Sequence, residues 1–132
     1  METDSVEFGT VAVYQAMADR LNEDPEWLEV GRNITYSMSY VYGPPVDKTF
    51  FVRFESGKVT DVRELPSPDA EAADFVISGP ADVWRGVVRG EVNPTTAMAK
   101  GQLKVEGKMT TLLRHMNAFS RIINVLKELN IK

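Results

Sequence analysis

The chain has no cysteine among its 132 residues, which excludes a disulfide framework, thiolate metal ligands and a cysteine nucleophile. It has one histidine, His115, with no serine or carboxylate pair beside it in sequence, and a lone histidine of that kind reads as a surface or edge residue. Apolar runs never exceed a few residues, too short to span a bilayer, so no stable membrane insertion is expected. The first residues, METDSVEFG, are acidic, unlike a secretory signal, and the last, ELNIK, are not a peroxisomal address. Together these point to the cytoplasm. There is no excess of positive charge either: 15 Lys and Arg against 19 Asp and Glu give a net charge of -4. Nucleic acid is therefore not expected as a partner, nor an anionic membrane surface as the main one.

What is present is the composition of an ordinary globular chain, 43% hydrophobic and 26% charged, of a length that suits one domain, residues 1–132, with a real core. Phe8, Val11, Tyr14, Met17, Ala18 and Leu21 recur at spacings of three and four, which predicts a helix from about Val6 to Asn22. Pro25 suits the first turn of a short second helix, PEWLEV, ended by Gly31. Ile34, Tyr36, Met38, Tyr40 and Tyr42 then alternate with Thr35, Ser37, Ser39 and Val41, a strand with one large aromatic face and one small hydroxylic face. After the break GPPVD, the stretches KTFFVRFE and KVTDVRE flank an SG turn and read as a hairpin. LPSPDAEA is a loop, and ADFVIS a fourth strand.

From residue 79 the pattern becomes helical. Pro80 opens a helix through ADVWRGVVR that buries Val83, Trp84, Val87 and Val88 and stops at Gly90. Asn93 caps a second short helix with Pro94 at its first position, and Gly101 ends it. QLKVE is a fifth strand, and a last helix fills Met109 to about Asn130. The expected class is α+β: four strands, a helical insertion, a final strand and a long closing helix.

Catalytic chemistry has little to stand on. Ser37 and Ser39 lie on a strand without the glycine-flanked elbow of a hydrolase. GKMT at 107–110 lacks the upstream glycines of a phosphate loop, and no acidic run has calcium-loop spacing. Asp69, Glu71 and Asp74 read as a solvated loop edge. The apolar residues of the second half are another matter. Met98, Met109 and Met116 accompany Trp84, Val87, Leu112, Leu113 and Phe119, and each alone reads as core. Methionine, however, also lines surfaces that accept variable apolar shapes. The small-sided helix PTTAMAK leaves room beside it, so sheet and thin helices can enclose a cavity.

The stretch ADFVISGPADVWRGVVRGEVNPTTAMAKGQLKVEGKMTTLLRHM resembles the C-terminal half of the sterol carrier protein type 2 domain. Asp82 and Trp84, Gly90, Asn93-Pro94, Ala97-Met98, Gly101, Leu103-Lys104 and Gly107 occur in the order and spacing of that family. The N-terminal half agrees in layout. The resemblance implies a five-stranded, largely antiparallel sheet covered by helices, with an apolar tunnel for sterols, fatty acids or fatty acyl-CoA. The expected function is therefore non-catalytic binding or transfer of a long apolar ligand, a fatty acid, acyl-CoA or sterol-like lipid, with no cofactor. The residues expected to line the site are Phe75, Ile77, Trp84, Val87, Val88, Met98, Met109, Leu112, Leu113 and Met116. The rival reading is an accessory subunit that docks on an enzyme and shelters its hydrophobic substrate, and assembly as a homodimer or with an enzyme stays open. The apolar stripe of the last helix turns by about 100° between Met109–Met116 and Ile122–Leu129. The helix must therefore bend near Asn117 or cover two surfaces, the second one either the N-terminal helix at Val11, Tyr14 and Met17, which is favoured, or a partner interface.

Overall fold

The computed structural model describes residues 6–129 and residue 131; Asn130, the expected end of the last helix, lies outside them. Two helices come first, α1 (Val11–Glu23) and α2 (Pro25–Val30), then strands β1 (Ser37–Tyr42), β2 (Lys48–Glu55), β3 (Lys58–Leu65) and β4 (Phe75–Gly79). Helices α3 (Ala81–Val88) and α4 (Pro94–Ala99), strand β5 (Lys104–Glu106), and helices α5 (Met109–Arg114) and α6 (Met116–Glu128) complete the order. The sheet runs β3-β2-β1-β4-β5. Every neighbouring pair is antiparallel except β1 and β4, which are parallel. This is the α+β, five-stranded, largely antiparallel architecture that the sequence implies.

The first helix starts five residues later than its periodicity suggests. Gly9 holds a φ of 80° and Thr10 is extended, a combination that ends helical geometry before Val11. Phe8 joined the apolar pattern without joining the helix: its ring packs on Tyr42 at 5.4 Å, under the Arg85 guanidinium at 4.6 Å.

The β2–β3 hairpin closes through Ser56 and Gly57, both at positive φ, as a tight turn requires. From β3 the chain returns across the sheet to lie beside β1. Asp74 anchors that return, its carboxylate accepting from the Ser37 N–H at 2.8 Å, while Glu71 accepts from Arg63 at 2.9 Å. Asp74 is exposed and Glu71 half-buried, the solvated edge expected for them, and both also tie the chain. Ser37 and Ser39, on the small face of β1, are buried.

The helices cover the other face, and they do so unequally. Over β1 and β2 the space is filled by aromatic side chains of the strands and by Tyr14 of α1. Tyr14 stacks on Tyr40 at 4.7 Å and on Phe50 at 5.3 Å, and its hydroxyl is 2.7 Å from that of Tyr42. Burial pushes the Tyr14, Tyr40 and Tyr42 hydroxyls well above their ordinary range, so the cluster stays neutral. Trp27 of α2 is buried and donates to the Gly57 carbonyl at 2.6 Å. Over β4 and β5 the cover is the thinner set α3 to α6.

The closing segment is two helices. His115, at φ -109° and ψ 25°, interrupts it just before the expected bend; of the first apolar stripe only Leu112 is buried, whereas the second is packed inside. Ile122, Val125 and Leu126 of α6 are buried, with α6 lying against α1 and α2. Ion pairs fasten that contact: Arg121 to Asp24 at 2.6 Å and Arg20 to Glu128 at 3.0 Å. The second stripe therefore closes the fold. Among the described residues no helix is long and apolar enough to cross a membrane.

Candidate functional site

Where α3 to α6 cover the sheet, they leave a cavity of about 390 Å³, within the roughly 300–1,000 Å³ range of small-molecule sites. Its floor is the sheet. Met38 and Tyr40 of β1 and Ile77 of β4 line it, with Tyr40 and Ile77 side by side in the parallel register. The Tyr40 hydroxyl is turned back onto the Met38 sulfur at 3.4 Å, so it presents a ring to the cavity.

One wall is α3, through Trp84 and Val87. Trp84 is locked in place: Nε1 donates to the Val41 carbonyl at 2.9 Å, and the indole stacks on Tyr42 at 4.9 Å with 5° between planes. Val92, Met98 of α4 and Leu103 complete that side. The position of α4 follows from its cap, since the Asn93 side chain accepts from the Thr95 and Thr96 N–H groups. The second wall is α5 and α6: Leu112, Met116, Phe119, Ile122 and Ile123. The lining also includes the polar residues Glu91, Asn93, Thr95, Ser120, Asn124 and Lys127.

Six of the ten residues expected from sequence come together here: Ile77, Trp84, Val87, Met98, Leu112 and Met116. The other four do not line the cavity. Phe75 is buried one layer away, edge-on to Tyr36 and Phe119, and Val88 is packed in the core. Met109 and Leu113 are 47% and 62% exposed, because α5 ends at His115 and on its single turn only Leu112 is turned inward. Sequence reasoning missed Met38 and Tyr40, although they stand on the aromatic face of β1. The parallel pairing that sets them beside Ile77 has no turn signature to announce it. It also stopped short of Phe119, Ile122 and Ile123, three to seven residues beyond Met116 on the next helix.

The chemistry available is apolar contact beside these polar groups. Among the described residues no group of His, Cys, Asp or Glu is arranged to hold a metal ion.

Comparison with known proteins agrees with this fold. Among solved structures, a crystal structure of sterol carrier protein 2 superposes with a TM-score of 0.82 at 22% identity, covering 92% of this chain and 98% of that one. A conserved hypothetical protein from Thermus thermophilus gives 0.82 at 21% identity, over 99% of this chain and 94% of the other. Sterol carrier protein-2 from Aedes aegypti, solved with the C16 fatty acid palmitate, gives 0.59 at 19%, over 87% and 94%. No curated protein matches the chain. The model of the SCP-2 sterol transfer family matches residues 41–120, from the end of β1 through α3, α4 and α5 to the start of α6, and the chain belongs to that family.

Proposed function

We propose that the chain is a non-catalytic carrier that binds a long apolar ligand in the cavity between the sheet and α3 to α6. Lipid binding or transfer is the function class of its family. The observation that carries the reading for this chain is the cavity itself, walled by Trp84, Val87, Met98, Leu112, Met116 and Phe119 and floored by Met38, Tyr40 and Ile77. Such walls offer contact, not reaction. Each methylene buried there contributes about 0.8 kcal/mol, so ten carbons give roughly 8 kcal/mol before ordering costs. The methionines suit a ligand whose shape varies, since a thioether side chain adapts at little cost.

Tryptophan emission tests this reading. A long-chain fatty acid added to the delipidated protein should change the fluorescence saturably and in a one-to-one ratio. The change should come from Trp84, because Trp27 is sealed against Phe54 and Gly57 on the far side of the fold. Trp84→Phe should therefore lose the change. If saturating fatty acid formed no stoichiometric complex, the carrier reading would fail.

A further inference from the structure

Along α6 the cavity lining is mixed, with its one charge at the end. Met116, Phe119 and Ser120 line its start, Ile122 and Ile123 its middle, and Asn124 and Lys127 its end. At 1.5 Å per residue, the path from Met116 to Lys127 is roughly 16 Å. The turn after α3 brings Glu91 into the same lining. Lys127 and Glu91 are the two charged side chains among the described lining residues. Neither has an ion-pair partner among the described residues.

Gly90 seats the lysine. Its φ is 78°, and a Cβ there would come within 2.9 Å of Lys127 Cδ. The stem of Lys127 thus lies along the bare glycine at the rim. The Asn93 side-chain oxygen at the same rim is already used, accepting from Thr95 and Thr96.

We propose that Lys127 makes this cavity selective for a single-chain lipid with a monoanionic carboxylate head, ahead of a neutral head and ahead of a CoA thioester. The proposal rests on the cavity being a lipid site. A chain laid along α6 toward Met116 brings its head to Lys127, where a carboxylate gains charge-assisted hydrogen bonds that a hydroxyl does not. Glu91, in the same lining, leaves the mouth without net charge of its own. The phosphates of CoA would crowd several negative charges onto a mouth with one cation and one anion, and like charges held close together repel.

The test is to titrate delipidated protein with palmitic acid, hexadecanol and palmitoyl-CoA. The wild type should bind the acid about tenfold more tightly than the alcohol, a preference that shrinks with added salt. Lys127→Met, which keeps the stem, should collapse the acid-to-alcohol ratio to about one, and Glu91→Gln should raise the affinity for palmitoyl-CoA relative to the acid. An unchanged ratio in Lys127→Met would overturn the proposal, as would a wild type that prefers the alcohol or the thioester. In both cases the bound alcohol would leave the carrier reading standing, whereas a wild type that bound none of the three would remove both.

Discussion

Trp84 and Tyr42 lie face to face, 4.9 Å apart with 5° between their planes. The indole N–H reaches past that stack to the carbonyl of Val41. A helix and the central strand are thereby fixed to each other at the cavity wall, so the wall keeps its shape without a ligand pressing on it. Trp84→Phe keeps a ring on Tyr42 but removes the indole hydrogen bond to the Val41 carbonyl and enlarges the cavity. It should cost about 2–3 kcal/mol, read by denaturant unfolding.

Met98 and Ala97 sit side by side on α4 in opposite surroundings. Met98 lines the cavity, and Ala97 is fully buried. Met98→Trp should fill open space, cutting fatty-acid affinity at least tenfold while changing stability by less than about 1 kcal/mol. Ala97→Leu should overpack a filled site and cost about 1–3 kcal/mol. Thermal melts of the ligand-free variants compare the two directly.

Arg121 joins α6 to the start of α2. Its hydrogen bond holds the Asp24 carboxyl below the usual carboxylate range, and the pair is mostly shielded, at 18% and 13% side-chain exposure. A lowered folded-state pKa stabilises the fold above the unfolded value of about 3.9 and ceases to do so as pH falls through the folded value. Arg121→Met should therefore cost about 1–2 kcal/mol at neutral pH, and its unfolding midpoint should converge on the wild type's in acid.

Leu126 and Leu113 separate closure of the fold from surface. Leu126 is 1% exposed and Leu113 62%. Leu126→Asp should destabilise the monomer by several kcal/mol, since it buries a charge with no partner. Leu113→Asp should stay within about 0.5 kcal/mol of the wild type. Sedimentation beside the melts reports whether either residue also holds an assembly.

Local signals made the element order legible. Pro25, Pro80 and Asn93-Pro94 marked helix starts, the SG turn marked the hairpin, and the alternation from Ile34 to Tyr42 marked the central strand, whose ladder begins at Ser37. The 100° shift in the last apolar stripe announced a break, which falls at His115. Two readings failed because they needed information from distant parts of the chain. Phe8 fits a helical period but packs from a loop onto Tyr42, and Met109 and Leu113 look like wall residues until the turn at His115 leaves them outside. For the same reason two of the three floor residues, Met38 and Tyr40, went unread: Tyr40 meets Ile77 only through a strand pairing that bridges β2, β3 and a long return.

The central claim is that the space beside Met98 is a binding site. Native mass spectrometry of delipidated protein titrated with palmitic acid measures it most directly, with Met98→Trp run alongside. We expect the wild type to carry one fatty acid per chain and the folded variant to carry almost none. Equal loading of the two proteins, or no loading of the wild type, would contradict the account.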